Sequence, residues 1–509
     1  MMGRQPKVQN KLFYTAVNLE QRVRKNHVLR KIKSKIDFDF IYNEVKDTYG
    51  INGNESVAPP VILKMMLLLI FYNVRSEREL LLTLPERLDW LWFLDYDIDD
   101  HIPNHSVLSK ARARWGVETF KTFFEYIVWQ CQQAGLIDGR KLFMDSSMVQ
   151  ADASNNSVVN KQSLQRYLNK SYQILESRLE QEQKCCGSDQ QPKSGAANKK
   201  YISTTDPDAS VTRRGKGKST LKYQIHRGVD PKNEVITATQ VTAGEVHEAH
   251  RLEALVDTHE KNTASTVEAV VADSKYGSID NYLACKDRGI KAHFSSLEQT
   301  QTSTGTKKGI FPKEAFTYHA QKDTFSCPAG QTLKRRKLFK KRQHYEYIAA
   351  AGTCKRCQLK DQCTKSKSGR TLKRHVRQDD LDSMLQQASS AESKKDIKTR
   401  QHLMERSFAQ ATRYGYQRAR WRRLWRVEIQ EYLTAAIQNI KILIKDAKAP
   451  APGMQMRVAA QVSGRPDKLL PCPLRNLFNL QWGIIAGFCR TVKENFARHP
   501  SEIIVLSGI

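Results

Sequence analysis

The chain has 509 residues, with 83 Lys and Arg against 53 Asp and Glu, and a formal charge of +30. That length holds several domains with cores of their own, and a clustered basic excess of this size points to a polyanionic partner, most often nucleic acid. A secretory or membrane-spanning chain is argued against: residues 1–35 carry ten Lys/Arg and one acid with no apolar stretch, and the apolar run 61–74 is broken by Lys64 and too short for a bilayer.

In chain order, residues 1–140 read as mostly helical. Pro59-Pro60 opens one helix, SERELLLTL follows at helical spacing, Asn104 or Ser106 caps a basic helix carrying Lys110, Arg112 and Arg114, and Gly135 stops the next. A helical bundle with such a face suits DNA binding. From Lys141 the period changes. KLFMDSS is a short buried strand, 163–181 a surface helix, and LKYQIHRGV with EVITATQV a β-hairpin about Asp230-Pro-Lys-Asn233. EVHEAHRLEALVDTHE then reads as helix, TVEAVVAD as strand, SIDNYLACKDRG as helix and KAHFSS as strand, which is a mixed α/β sheet. Residues 298–390 form a basic, Cys-containing insertion. Helical spacing returns with Ile429, Leu433, Ile437, Ile440 and Ile444 on one face, and KAPAPG begins a tail over 447–509.

Three acidic positions stand out. Asp145 sits inside an apolar strand, where Asp is depleted; Asp273 directly follows a buried strand, where α/β sheets place their sites; Glu405 lies on a helix beyond the insertion. Converging carboxylates suit two Mg²⁺ or Mn²⁺ ions, which take oxygen ligands and leave positions open for phosphate. Asp152 is a loop competitor, and His247 sits in a polar turn near the same edge. Ten cysteines without a secretion signal favour reduced thiols or a metal over disulfides. Cys327, Cys354, Cys357 and Cys363 form a candidate zinc set weighed evenly against free thiols, with His344 or His375 as substitute ligands. Residues 413–426 interleave Trp421 and Trp425 with six arginines, among them Arg413, Arg418 and Arg420, which suits phosphate contact; at least one Trp is expected to anchor its segment to the core instead.

The ordered segments QNKLFYTAVNLEQRV, RSERELLLTL, IPNHSVLSKARAR, GLIDGRKLFMDSSMVQADAS, STTDPDASVTRRGKG, VVADSKYGS and ERSFAQATRYGYQRARWRRLWRVEIQEYLTAAIQNIK resemble DDE transposases of bacterial insertion sequences. They span residue 10 to about 445. The resemblance implies an RNase H-like mixed sheet core, 141–297 completed by helices at 391–446, with the Cys-containing subdomain inserted and an all-α DNA-binding domain, 1–140, in front. It implies that Asp145, Asp273 and Glu405 hold the catalytic metals, and that the chain binds the element's terminal inverted repeats, cleaves a strand and transfers it to target DNA. It further implies a homodimer or larger assembly on DNA and association with the nucleoid, while the missing secretion signal and the cysteine usage point to the cytoplasm. Arg400 is expected at the scissile phosphate or in a surface pair. One position departs from the pattern: Thr412 replaces the Lys usual seven residues after the Glu, with Arg413 beside it. Two readings compete, an RNase H-like nuclease without strand transfer and a non-catalytic DNA-binding protein derived from a transposase.

Overall fold

A computed structural model describes residues 2–3, 18–50, 52–160, 196–213, 217–294, 310–364, 366 and 368–445. The expected helix at 163–181 and the tail at 447–509 lie outside them.

The N-terminal region is helical: α1 (Leu19–Arg22), α2 (Val28–Lys35), α3 (Phe40–Val45), α4 (Pro59–Phe71), α5 (Glu77–Thr83), α6 (Leu88–Leu94) and α7 (Ser106–Gln133). Helix α4 is apolar all round and buried from Pro59 to Ile70, so it forms the centre of this layer. Its one charge, Lys64, reaches Asp95 at 2.8 Å. Ser76 caps α5 by accepting the Glu79 N–H at 3.1 Å, the acceptor half of a Ser-x-x-Glu box. The two helices expected on either side of Gly116 are both present, and α7 comprises them across a kink at that glycine, whose φ of 71° and ψ of −175° are not helical. The basic face expected on α7 is incomplete. Arg112 is 3% exposed, paired with Glu77, and its guanidinium lies 4.0 Å from the Trp421 ring centre. It docks the C-terminal segment on the helical layer and is closed to DNA.

The first sheet contains β1 (Lys141–Gln150), β4 (Ser210–Thr212), β5 (Thr220–Asp230), β6 (Val235–Ala243), β7 (Ala269–Val271) and β8 (Lys291–His293). Its order is β6-β5-β1-β7-β8, with β4 pairing the start of β5. β5 lies antiparallel to β1 and β6, whereas β7 and β8 run parallel to β1. A small β2–β3 pair (Val158–Asn160, Tyr201–Ser203) lies apart. The expected hairpin and the three flanking strands are all present. Pleating sends Leu142 and Met144 of β1 to one face, where they join Leu255, Val256, Tyr282 and Phe294 from the connecting helices α9 (Leu252–Thr263) and α10 (Ile279–Asp287) and their flanks; α8 is the short Ala196–Lys200.

The inserted segment contains a second sheet of β9 (Thr317–His319), β10 (Thr324–Ser326), β11 (Thr332–Phe339), β12 (His344–Ala349) and β13 (Thr371–His375), paired in chain order, with a short α11 (Lys360–Cys363). It ends before residue 390, because α12 (Gln378–Ala388) buries Leu381 and Met384 in the core of the first sheet. Helix α13 (Ala391–Thr412) then crosses β1, and α14 (Leu424–Leu443) packs between α7 and β6. On α14, Ile429, Leu433, Ile437 and Ile440 are buried as their spacing predicts.

Candidate metal centre

The parallel register of β1 and β7 pairs Phe143 with Val271. Two residues on stand Asp145, still on β1, and Asp273, just past the end of β7, which brings the two carboxylates to the same sheet edge. The chain leaving β6 supplies a third acid. His247 caps a short 3-10 turn, Glu248–Arg251, by accepting the Ala249 N–H at 3.2 Å, and Glu248 is turned inward, 3% exposed. Ligand oxygens of Asp145, Glu248 and Asp273 all lie within 4.8 Å of one another.

Neighbouring groups fix these acids. Ser146 N–H donates to Asp145 Oδ1 at 2.8 Å, and Arg400 Nη1 donates to Asp145 Oδ2 at 2.7 Å. The Lys275 ammonium meets Glu248 at 2.6 Å, and the Ser146 hydroxyl donates to its other oxygen. Asn281 Nδ2 donates to both Ala249 O, at 3.0 Å, and Tyr276 O, at 2.8 Å. One amide therefore clamps the loop carrying Glu248 to the loop carrying Asp273. Burial pushes the Asp145 carboxyl above its ordinary pKa, with Arg400 opposing. Burial also raises Asp273, and the charges of Glu248 and Asp145 push the same way. Hard oxygen donors this close, with ionised forms disfavoured by burial and mutual repulsion, fit a divalent cation such as Mg²⁺.

Two of the three expected acids are brought together, and Glu405 is not. The inward stripe of α13 consists of Arg400, Leu403, Met404, Ser407 and Ala411. Glu405 follows Met404 by about 100° of helical turn; it is exposed and accepts from Gln401 Nε2 at 3.3 Å. Phe408 does pack against the sheet cluster around Val149 and Tyr223, as expected, without turning Glu405 inward. Glu248 was missed because an acid in a first helical turn ordinarily reads as dipole compensation. The available signal was its place beside His247 at the sheet's carboxyl edge.

The arginines divide. Arg413 is exposed and Arg418 pairs with Asp152 at 3.0 Å. Arg400 is buried on Asp145 instead of forming a surface pair. Arg420, expected at DNA, donates to Val74 O and Asn73 Oδ1, both at 2.5 Å, and burial lowers its pKa. It ties the C-terminal segment to the end of α4. Trp421 donates to Glu77 Oε1 at 3.1 Å and is likewise an anchor.

A second acidic group, His293, Glu392 and Asp396, also has ligand atoms within 4.8 Å. Here Lys141 reaches Asp396 at 2.8 Å and Glu392 at 3.6 Å, and Lys291 reaches Glu392 at 3.8 Å. Protein cations already balance this cluster, which fastens the start of α13 to the sheet.

Two family models match the chain: Transposase domain (DUF772), over residues 17–114, and Transposase DDE domain, over residues 326–444. The first covers α1 to the start of α7, and the second runs from the β10–β11 turn to the end of α14. Together they support a DDE transposase of an insertion element. Glu405 lies within the second match; Asp145, Glu248 and Asp273 lie between the two. Comparison with curated proteins and with solved structures gave no match. Among the described residues no helix is long and apolar enough to cross a membrane.

Proposed function

We propose that this transposase cuts the ends of its element and joins them to target DNA, using Mg²⁺ or Mn²⁺ held by Asp145, Asp273 and Glu248. The observation that carries the reading is the meeting of three oxygen ligands within 4.8 Å at the edge of the first sheet. The strand order β6-β5-β1-β7-β8, antiparallel on one side of β1 and parallel on the other, supports an RNase H-like core. The formal charge of +30 supports a DNA substrate.

When bound, the cation supplies Lewis-acid polarisation of the scissile phosphate and a lowered pKa for the attacking hydroxyl. The chain's own part is positional. Asp145 presents its oxygens from a strand and Asp273 from the turn that directly follows one, and Asn281 ties the Glu248 loop to that turn. Arg400 and Lys275, which pair with Asp145 and Glu248 in the free protein, are placed to meet phosphate oxygens once a cation takes over that pairing. The helical layer binds the terminal repeats, and joining two ends at one target calls for two or more copies of the chain.

The test is a labelled element end incubated with the protein, with and without Mg²⁺. Cation-dependent nicks followed by joined products are expected. Nicks without joining favour the nuclease reading. Binding without nicks, unchanged by Asp145→Ala, favours the non-catalytic one.

A further inference from the structure

The second sheet has a core of only Phe316, Phe325, Leu333, Tyr347 and Leu372 with a fringe of half-buried residues, which is small for five strands. At one end of it the register pairs Leu333 with Ala349. The β10–β11 turn, carrying Cys327, therefore meets the β12–β13 connection, carrying Cys354, Cys357 and Cys363. All four cysteines line one cavity of about 30 Å³, together with Lys360 and Arg370. That volume holds a single ion or water and no organic ligand.

The cavity is built around sulfur. Residues Cys327–Gln331 form a tight turn in which Cys327 N–H donates to Gln331 O at 2.9 Å and Gln331 N–H donates to Cys327 Sγ at 3.3 Å. An N–H aimed at sulfur stabilises a thiolate. Gly369, at φ +103°, brings its backbone so near Cys354 that a Cβ there would stand 2.8 Å from Sγ, so the loop closes over the sulfur only with glycine. Arg370 donates to Cys363 O at 3.2 Å and to Phe311 O at 3.1 Å, while its buried Nε has no acceptor. This leaves a cationic donor for a thiolate. His344 and His375, the substitute ligands considered above, pair with each other across β12–β13 and do not line the cavity.

We propose that Cys327, Cys354, Cys357 and Cys363 bind one structural Zn²⁺ that holds the inserted sheet together. The four thiols lose their protons on binding, so the closed site carries a net charge of −2, which Lys360 and Arg370 offset. Among the described residues no three of these sulfurs lie within 4.8 Å of one another, so ligation would require the four cysteine side chains and their turns to draw together. The site is separate from the carboxylate centre, and its existence does not rest on the reading of that centre.

The test is metal analysis of the full-length chain purified without chelators, alongside Asp145→Ala and a Cys354→Ser/Cys357→Ser double variant. One zinc per chain is expected in the parent and in Asp145→Ala, and none in the double variant. To keep the test independent of the double variant's folding, the parent is also exchanged with Co²⁺, where a thiolate-to-cobalt charge-transfer band is expected. Titration of the zinc protein with a mercurial should release one zinc per chain. A zinc-free parent, zinc retained by the double variant, no charge-transfer band, or disulfides among these four cysteines would each overturn the proposal.

Discussion

Two charge clusters lie on the first sheet, one fully buried and one half-buried, and are built in opposite ways. Arg227 on β5, fully buried, donates twice to Glu431 of α14, at 2.7 and 2.9 Å, and once to Gln438 at 2.9 Å. Thr239 donates to the same Glu431 at 2.6 Å. Every charge there has a partner inside the protein. At Asp145, Glu248 and Asp273, three acids share two cations, Arg400 and Lys275, and burial holds both aspartates above their ordinary pKa. The first cluster is complete without any ligand and fixes α14 to the sheet. The second is short of positive charge, and that shortage is what a divalent cation answers. Buried polar groups left under-compensated by the fold are where function is to be sought.

The largest break comes from removing a ligand at the second cluster. Asp145→Ala should lower end cleavage by about 10³-fold or more while leaving DNA binding in a gel shift intact, as expected for a group within a catalytic unit. Next is the closed cluster. Glu431→Ala strands a buried guanidinium and should cost about 3–5 kcal/mol of unfolding free energy by denaturant titration. An unchanged denaturation midpoint there would remove the contrast. Asn281→Ala should reduce cleavage about 10–100-fold, in the range for groups that orient metal ligands, with the loss partly recovered at higher Mg²⁺. A loss that Mg²⁺ leaves untouched would assign Asn281 to folding alone.

The smallest effect concerns pH. Both aspartates have raised folded-state pKa, so the stabilisation that their protonation gives the metal-free chain is full below the unfolded value of about 3.9. It is lost as pH rises through the folded values. Asp273→Asn should therefore raise the melting temperature of the metal-free protein at pH 7 while abolishing the stabilisation that Mg²⁺ adds. In the parent, protons compete with the cation, so affinity for Mg²⁺ should weaken on acidification at a higher pH than ordinary carboxylates would give. A melting temperature lowered by Asp273→Asn would show that the acid is satisfied without metal.

Much of this was legible in the chain. An Asp within LFMDSS violates strand composition, and another directly after EAVVA stands at a strand's carboxyl edge, where it also accepts the Lys275 N–H at 3.1 Å; the two face the same point. The hairpin, the alternating helices and strands, and the apolar face of α14 follow from periodicity. Direction was harder to read. Whether a helical residue points in or out depends on which stripe finds a partner, and α13 chose Arg400, Leu403 and Met404, leaving Glu405 outside. Arg112 and Arg420 read as a DNA-facing surface because composition does not reveal that Glu77, Trp421 and the carbonyl ends of α4 lie waiting for them. Glu248 carries no signal beyond its neighbour, since its burial is decided by a loop-to-loop clamp made through Asn281, 33 positions away.

The most direct measurement is calorimetric titration of Mn²⁺ into the parent, Glu248→Gln and Glu405→Gln proteins. Binding should be lost or weakened at least about tenfold in Glu248→Gln and should be unchanged in Glu405→Gln. Parent-like binding by Glu248→Gln, with the loss appearing in Glu405→Gln instead, would contradict the centre described here.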